Sequence, residues 1–252
     1  MRILTLIAIL ASLPLFAAVP MVVTDGQTIW LEEGAHKRVV ITDPLGASLP
    51  SWFGDRIAYS RVRTDDRGMP HTEIVVLKES GDAVRVIAVP EDTGINGLVQ
   101  LGWRDAKRVF IEGHVNPSVS LYLEWNTDSG ELTFERPGTQ FAVSPDGRSL
   151  AQRSHVPMGA PDDAGLEVDG HLVYGRDEQL HNFLGAPVWS ADSRRLAVLD
   201  DVGGATYVVS FDAKNAKAER QRVVLDDSRA TIEWNGDAIV VRTPARVVKI
   251  RQ

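Results

Sequence analysis

Beyond residue 20 the hydrophobic positions fall in short alternating runs, and no long segment carries the 3.6-residue period of an amphipathic helix. Runs at 28–33, 37–42, 72–78, 83–89, 119–125, 131–135, 179–184, 206–211 and 220–225 are rich in Val, Ile, Tyr, Phe and Thr. Clusters of Gly, Pro, Asn and Asp separate them. Branched and aromatic side chains suit a pleated, half-buried surface, and the separators supply turns, so the pattern predicts an all-β chain.

The alternation contains a repeat. Residues 187–199, PVWSADSRRLAVL, read as a strand ending in Trp189, a polar bend at Asp192 and a second strand through Leu196 and Val198. The same order recurs with Trp52 and Asp55, Trp103 and Asp105, Val143 and Asp146, and Trp234 and Asp237. The anchors at 52, 103, 143, 189 and 234 lie 51, 40, 46 and 45 residues apart. A period of roughly 45 is that of propeller blades. The bulky anchor fills space between blades, and the acid bonds backbone amides of its own turn. Each unit is followed by about two more strands. The expected fold is therefore an all-β propeller of about five four-stranded antiparallel blades. Strands at the two ends of the chain are expected to pair and close the ring, removing open edges. Three C-terminal and two N-terminal strands make one more than a single blade needs, so a sixth partial blade is the alternative. At 166–175 a hairpin is expected, with Asp169-Gly170 at its tip.

The segment before the repeats is different. MRILTLIAILASLPLFAAVP has one charge, Arg2, then an apolar run and small residues. It is shorter than the roughly 20 apolar residues of a membrane span and has the layout of a secretory signal peptide. Residues 1–18 are read as that signal and 19–252 as the propeller, placing the chain in the periplasm or outside the cell, with no membrane insertion after cleavage. The 252-residue chain has a net charge of −7, which disfavours nucleic acid as a partner. It contains no cysteine, which excludes disulfides, thiolate metal sites and a lipid-carrying cysteine.

The units at 141–152 and 187–212 resemble the repeats of TolB-like and WD-repeat-like periplasmic propellers. They are also similar to the propeller domains of dipeptidyl-peptidase-type proteins. The resemblance implies a scaffold that docks other proteins; its repeats are structural and carry no catalytic residues.

In such a blade the connections between the second and third strands share one face with the blade-to-blade connections. The loops 63–71, 113–118, 153–165 and 200–205 are expected there, long and varied, and that face is the expected binding surface. Its candidates are Asp65, Asp66, Arg67, Met69, His71, His114, Asn116, His155, Met158, Asp162, Asp163, Asp200 and Asp201. Histidines with carboxylates suit a metal, but no tight ligand motif is present, so no metal or cofactor is assigned. The chain has no nucleophile elbow, P-loop or dinucleotide-binding glycine pattern. The resemblance to dipeptidyl-peptidase-type proteins is therefore expected to stop at the propeller. The reading is a non-enzymatic exported propeller that binds a protein partner. Two alternatives stay open: an immunity protein neutralising a secreted toxin, and a metal-assisted hydrolase or lyase working at the propeller channel.

Overall fold

The computed structural model describes residues 21–117, 119–154, 165–175, 181–213, 218–223 and 230–251. The signal peptide expected at 1–18 and the candidates His155, Met158, Asp162 and Asp163 lie outside the described residues. Apart from one short 3-10 turn, the regular structure of the described residues is all strand, and its ladders form six antiparallel sheets in chain order.

The first sheet is β1 (Met21–Thr24), β2 (Gly26–Glu33) and the front half of β3 (His36–Phe53). The back half of β3 is the inner strand of the second sheet, followed by β4 (Arg56–Thr64), β5 (Pro70–Lys78) and β6 (Ala83–Ala88). The third sheet is β7 (Gly97–Asp105), β8 (Arg108–Asn116), β9 (Val119–Asn126) and the front of β10 (Leu132–Val143). The end of β10 opens the fourth, with β11 (Leu150–Arg153), β12 (Gly165–Val168) and β13 (His171–Gly175). The fifth has an inner strand in two pieces, β14 (His181–Phe183) and β15 (Val188–Trp189), then β16 (Arg195–Val202), β17 (Ala205–Asp212) and β18 (Ala218–Arg222). The sixth is β19 (Thr231–Asn235), β20 (Ala238–Arg242) and β21 (Val247–Arg251).

Strand alternation sends successive side chains to opposite neighbours. Ile57, Tyr59, Val75 and Leu77 pack with Ile29 and Ala47 of the first sheet. Their sequence neighbours Ala58, Ile74 and Val76 pack with Trp103, Val109, Ile111 and Leu123 of the third. Leu196, Val198 and Val209 face the fourth sheet, while Ala197, Leu199 and Val208 face the sixth. Each sheet is thus a wedge between two cores. With no cysteine in the chain, these cores carry the stability, at about 1.5–3 kcal/mol per large side chain buried.

The repeated tryptophans join adjacent sheets by a second device. Trp103 Nε1 donates to the Ser51 carbonyl at 3.2 Å, Trp189 Nε1 to Ala142 at 2.9 Å, and Trp234 Nε1 to Val188 at 3.0 Å. In each case the acceptor is the residue just before the anchor of the preceding sheet. Val143 has no indole to donate, and aromatics fill that junction instead. Phe110 stacks on Tyr122 at 5.0 Å, and Tyr122 lies 5.3 Å from Phe141.

The acidic bends are turn formers, as expected, at three positions. Asp105 Oδ1 accepts the N–H of Lys107 and Arg108; Asp146 and Asp192 accept those of Arg148 and Arg194. No such bond forms at Asp55 or Asp237 among the described residues. The 166–175 hairpin is present, with positive φ at both Asp169 and Gly170, as its two-residue turn requires.

Three details differ from the sequence expectation. The end strands form two separate three-stranded sheets, so there are six sheets, four of them four-stranded, and no ladder joins the first to the last among the described residues. Among the described residues the first sheet begins at the second-strand position with no inner strand, and the sixth has no outer one. Residues 181–183 belong to the inner edge of the fifth sheet rather than the outer edge of the fourth, because 166–175 already supplies both outer strands there.

Candidate functional site

A groove opens where the second sheet meets the third, on the face that carries the β4–β5 turn. Its larger part encloses about 650 Å³ between Leu45, Leu49, Val62 and Pro70 on one side and Ile95 and Leu98 on the other. A smaller part of about 300 Å³ continues past Met69, His71, Pro90 and Glu91, and the two share Pro70, Thr72 and Ile95. The rim is apolar and open to solvent: Leu45 is 46% exposed, Val62 52% and Met69 56%.

The wall is held rigidly from below. Arg61 lines the larger cavity, and its guanidinium donates to Asp43 Oδ2 at 2.9 Å and Glu73 Oε2 at 2.8 Å. Arg63 donates to the other Glu73 oxygen at 2.8 Å, and the Tyr59 hydroxyl to Asp43 at 2.6 Å. Asp43 and Glu73 are both buried. Burial drives the Asp43 carboxyl upward, but the Tyr59 hydroxyl, the Leu45 N–H and Arg61 outweigh it and hold it below the usual carboxylate range. Burial, and then the Asp43 charge, push the Tyr59 phenol well above its ordinary value. Leu49 sits at a bulge in β3 with φ of +50°, a strained conformation for a leucine, which aims the chain around the cavity.

The candidates read from sequence scatter around this groove. Met69 and His71 line its smaller part. His71 is bracketed by carboxylates: Nδ1 lies 2.8 Å from Glu91 Oε1, and Nε2 lies 3.2 Å from Asp65 Oδ2 without hydrogen-bond alignment. Asp65 shapes the turn by accepting the N–H of Met69 and Arg67 at 2.8 Å each, and these bonds, that of Met69 first, hold its carboxyl at about 2. Asp66 and Arg67 are exposed at the tip. His114 and Asn116 sit at the end of β8; the His114 ring bonds the Ser120 hydroxyl at 3.1 Å.

Two expectations need correction. The loops at 113–118 and 200–205 are shorter than expected, because β8 runs to Asn116 and β16 to Val202, leaving tight hairpins. Asp200 is therefore no surface ligand. It is fully buried, accepting the Tyr174 hydroxyl at 2.8 Å and meeting His181 Nδ1 at 2.6 Å. Asp201 accepts the Gly204 N–H at 3.0 Å and closes that turn. Among the described residues no group of three or more His, Cys, Asp or Glu is placed to hold a metal ion. Sequence reasoning missed Leu45, Leu49, Ile95 and Leu98. Their signal was position: they lie just before or at the start of the inner strands, on the same face as the β4–β5 turn.

With this architecture established, comparison with known proteins decides its class. No protein-family model matches the sequence, and no curated protein matches it. Solved structures do match. A puromycin hydrolase mutant complexed with PGG aligns over 90% of this chain and 40% of its own, at 14% identity and a TM-score of 0.58. The β-propeller domain of the trilobed protease from Pyrococcus furiosus, which has an open velcro topology, aligns over 89% of this chain and 74% of its own, at 14% identity and 0.52. The fold is a β-propeller. TolB from Acinetobacter baumannii is a further neighbour, with 92% of this chain and 63% of that one aligned at 14% identity and a TM-score of 0.48. The propeller spans less than two thirds of TolB and less than half of the puromycin hydrolase. No helix among the described residues is long and apolar enough to cross a membrane.

Proposed function

We propose that this chain is an exported, non-enzymatic propeller that binds a protein partner in the groove between its second and third blades. The observation that carries the reading is the cavity of about 650 Å³ whose rim exposes Leu45 and Val62 over a wall fixed by the Arg61 network. Recognition sites of this kind take an apolar side chain into a pre-formed hollow and use a few placed polar groups for orientation. Arg61 is such a group, its guanidinium oriented by two carboxylates. Export rests on the signal-like segment at 1–18, and the scaffold is the propeller fold shared with domains such as that of the trilobed protease.

The test is capture of the partner from periplasmic extract on the immobilised chain, repeated with Leu45→Glu and Val62→Glu. Both positions are already exposed, so the variants should stay folded by circular dichroism and lose the partner. Retained capture by both would move the site off this groove.

A further inference from the structure

The anchor tryptophans follow one rule at three junctions: the indole N–H donates to the carbonyl just before the anchor of the preceding blade. Trp52 is the exception. Its Nε1 is buried and has no hydrogen-bond partner among the described residues. The reason lies in the blade before it. The first sheet has β1, β2 and the front of β3, and among the described residues no inner strand presents a carbonyl to Trp52. Val22 of β1 and Trp52 both pack against one core, that formed by Ile29, Ala47, Ile57 and Tyr59. Among the described residues β1 has a ladder partner on one side only.

We propose that the inner edge of β1 is a strand-addition site, filled by an extended segment of a protein partner that pairs with β1 and offers its carbonyl to Trp52. The chain's own inner strands define what fits. Adding a strand satisfies the backbone groups of an open edge, and the alternate side chains of the guest give selectivity. Here the guest needs an acceptor at the position before a bulky apolar residue, as in Ser51–Trp52, Ala142–Val143 and Val188–Trp189. The site lies on the opposite side of the second blade from the groove, and it does not depend on that groove binding anything.

The test uses the purified protein and a peptide copying residues 46–53, GASLPSWF. In a proton–nitrogen NMR spectrum Trp52→Phe identifies the Trp52 indole signal by its loss. The unliganded protein should show that N–H exchanging with solvent faster than those of Trp103, Trp189 and Trp234. Adding peptide should shift it, slow its exchange at least about tenfold and protect amides in β1. Trp52→Phe should weaken peptide affinity by about threefold to tenfold, the effect of one lost hydrogen bond. Val62→Glu, in the groove, should leave affinity unchanged. The proposal falls if the Trp52 indole is as protected as the other three before peptide is added, since the chain's own N-terminal residues or a second copy would then hold the edge. It also falls if the peptide binds without moving that signal, or if Val62→Glu abolishes its binding.

Discussion

Replacing each anchor tryptophan with phenylalanine separates the hydrogen bond from the bulk. All four variants lose a similar volume of aromatic ring, a cost of about 1–2 kcal/mol. Trp103→Phe, Trp189→Phe and Trp234→Phe also lose the bonds of 3.2, 2.9 and 3.0 Å to the preceding blade and leave a carbonyl without that donor. Leaving such a group unpaired costs a further ~1–3 kcal/mol. Trp52→Phe does the reverse. It removes a buried donor that has no partner, recovering a penalty of the same ~1–3 kcal/mol. The stapled variants should lose about 2–5 kcal/mol, while Trp52→Phe falls within roughly 1 kcal/mol of the parent. In a chain of this size a kcal/mol shifts the melting temperature by ~2–4 °C, so the two classes should separate by about 5 °C or more. Urea midpoints measured in parallel check that the m-value is unchanged and the comparison fair. If Trp52→Phe costs as much as Trp189→Phe, the rule that the indole is an inter-blade staple is wrong, and the anchors act by bulk alone.

Further outcomes follow from the same geometry. Gly147→Ala should destabilise by about 3 kcal/mol or more, because φ is +70° and a Cβ there would meet the Arg104 carbonyl of the preceding blade at 1.9 Å; a melting temperature near the parent's would contradict this. Asp200→Ala should cost about 3–5 kcal/mol by removing a buried acceptor from Tyr174 and His181, and an unchanged urea midpoint would return Asp200 to the list of surface candidates. Burial raises the Glu112 carboxyl, against the N–H groups of Phe141 and Gln140 that it accepts. The folded state therefore binds that proton more tightly than the unfolded state, and stability from this group falls as pH rises from about 4.3 through the raised value. Glu112→Gln should remove that fall, so its stability relative to the parent improves across the window; parallel pH profiles would refute the assignment.

The repeat was legible because its physics is local. A bulky residue, an acidic bend and an alternating strand lie within a dozen positions, and Trp189, Asp192 and Leu196 do in the fold what their spacing suggests. The binding candidates were less legible, since loop length was judged from polarity. Asp200 and Asp201 look like a solvated pair, yet strand β16 runs through both, and alternation turns one inward to Tyr174 and His181 and the other to its own turn. Leu45 and Leu98 look like core residues in the sequence. Only the meeting of two sheets, remote in sequence, shows that they line an opening.

The location of that opening has a cause in how the chain crosses between blades. From the first blade to the second and from the third to the fourth, one continuous strand makes the crossing: β3 and β10 each end one sheet and start the next. Such a crossing keeps the backbone extended. From the second to the third the chain leaves β6, makes a short 3-10 turn at Glu91–Thr93, reverses at Gly94 with φ of +69° and only then enters β7. Residues of this detour, from Pro90 to Gly97, themselves line one side of the groove. Ile95 is pinned against Gly113, where even a Cβ would come within 2.6 Å of its side chain, so the far wall cannot fold inward to fill the gap. The groove thus lies at a non-strand crossing whose own residues form one of its walls, and the punctuation of that crossing, Pro90, Gly94 and Gly97, stands in the sequence. A crossing of the β3 kind at this junction would take that wall away, and the apolar rim at Leu45 and Val62 would lose the surface opposite it.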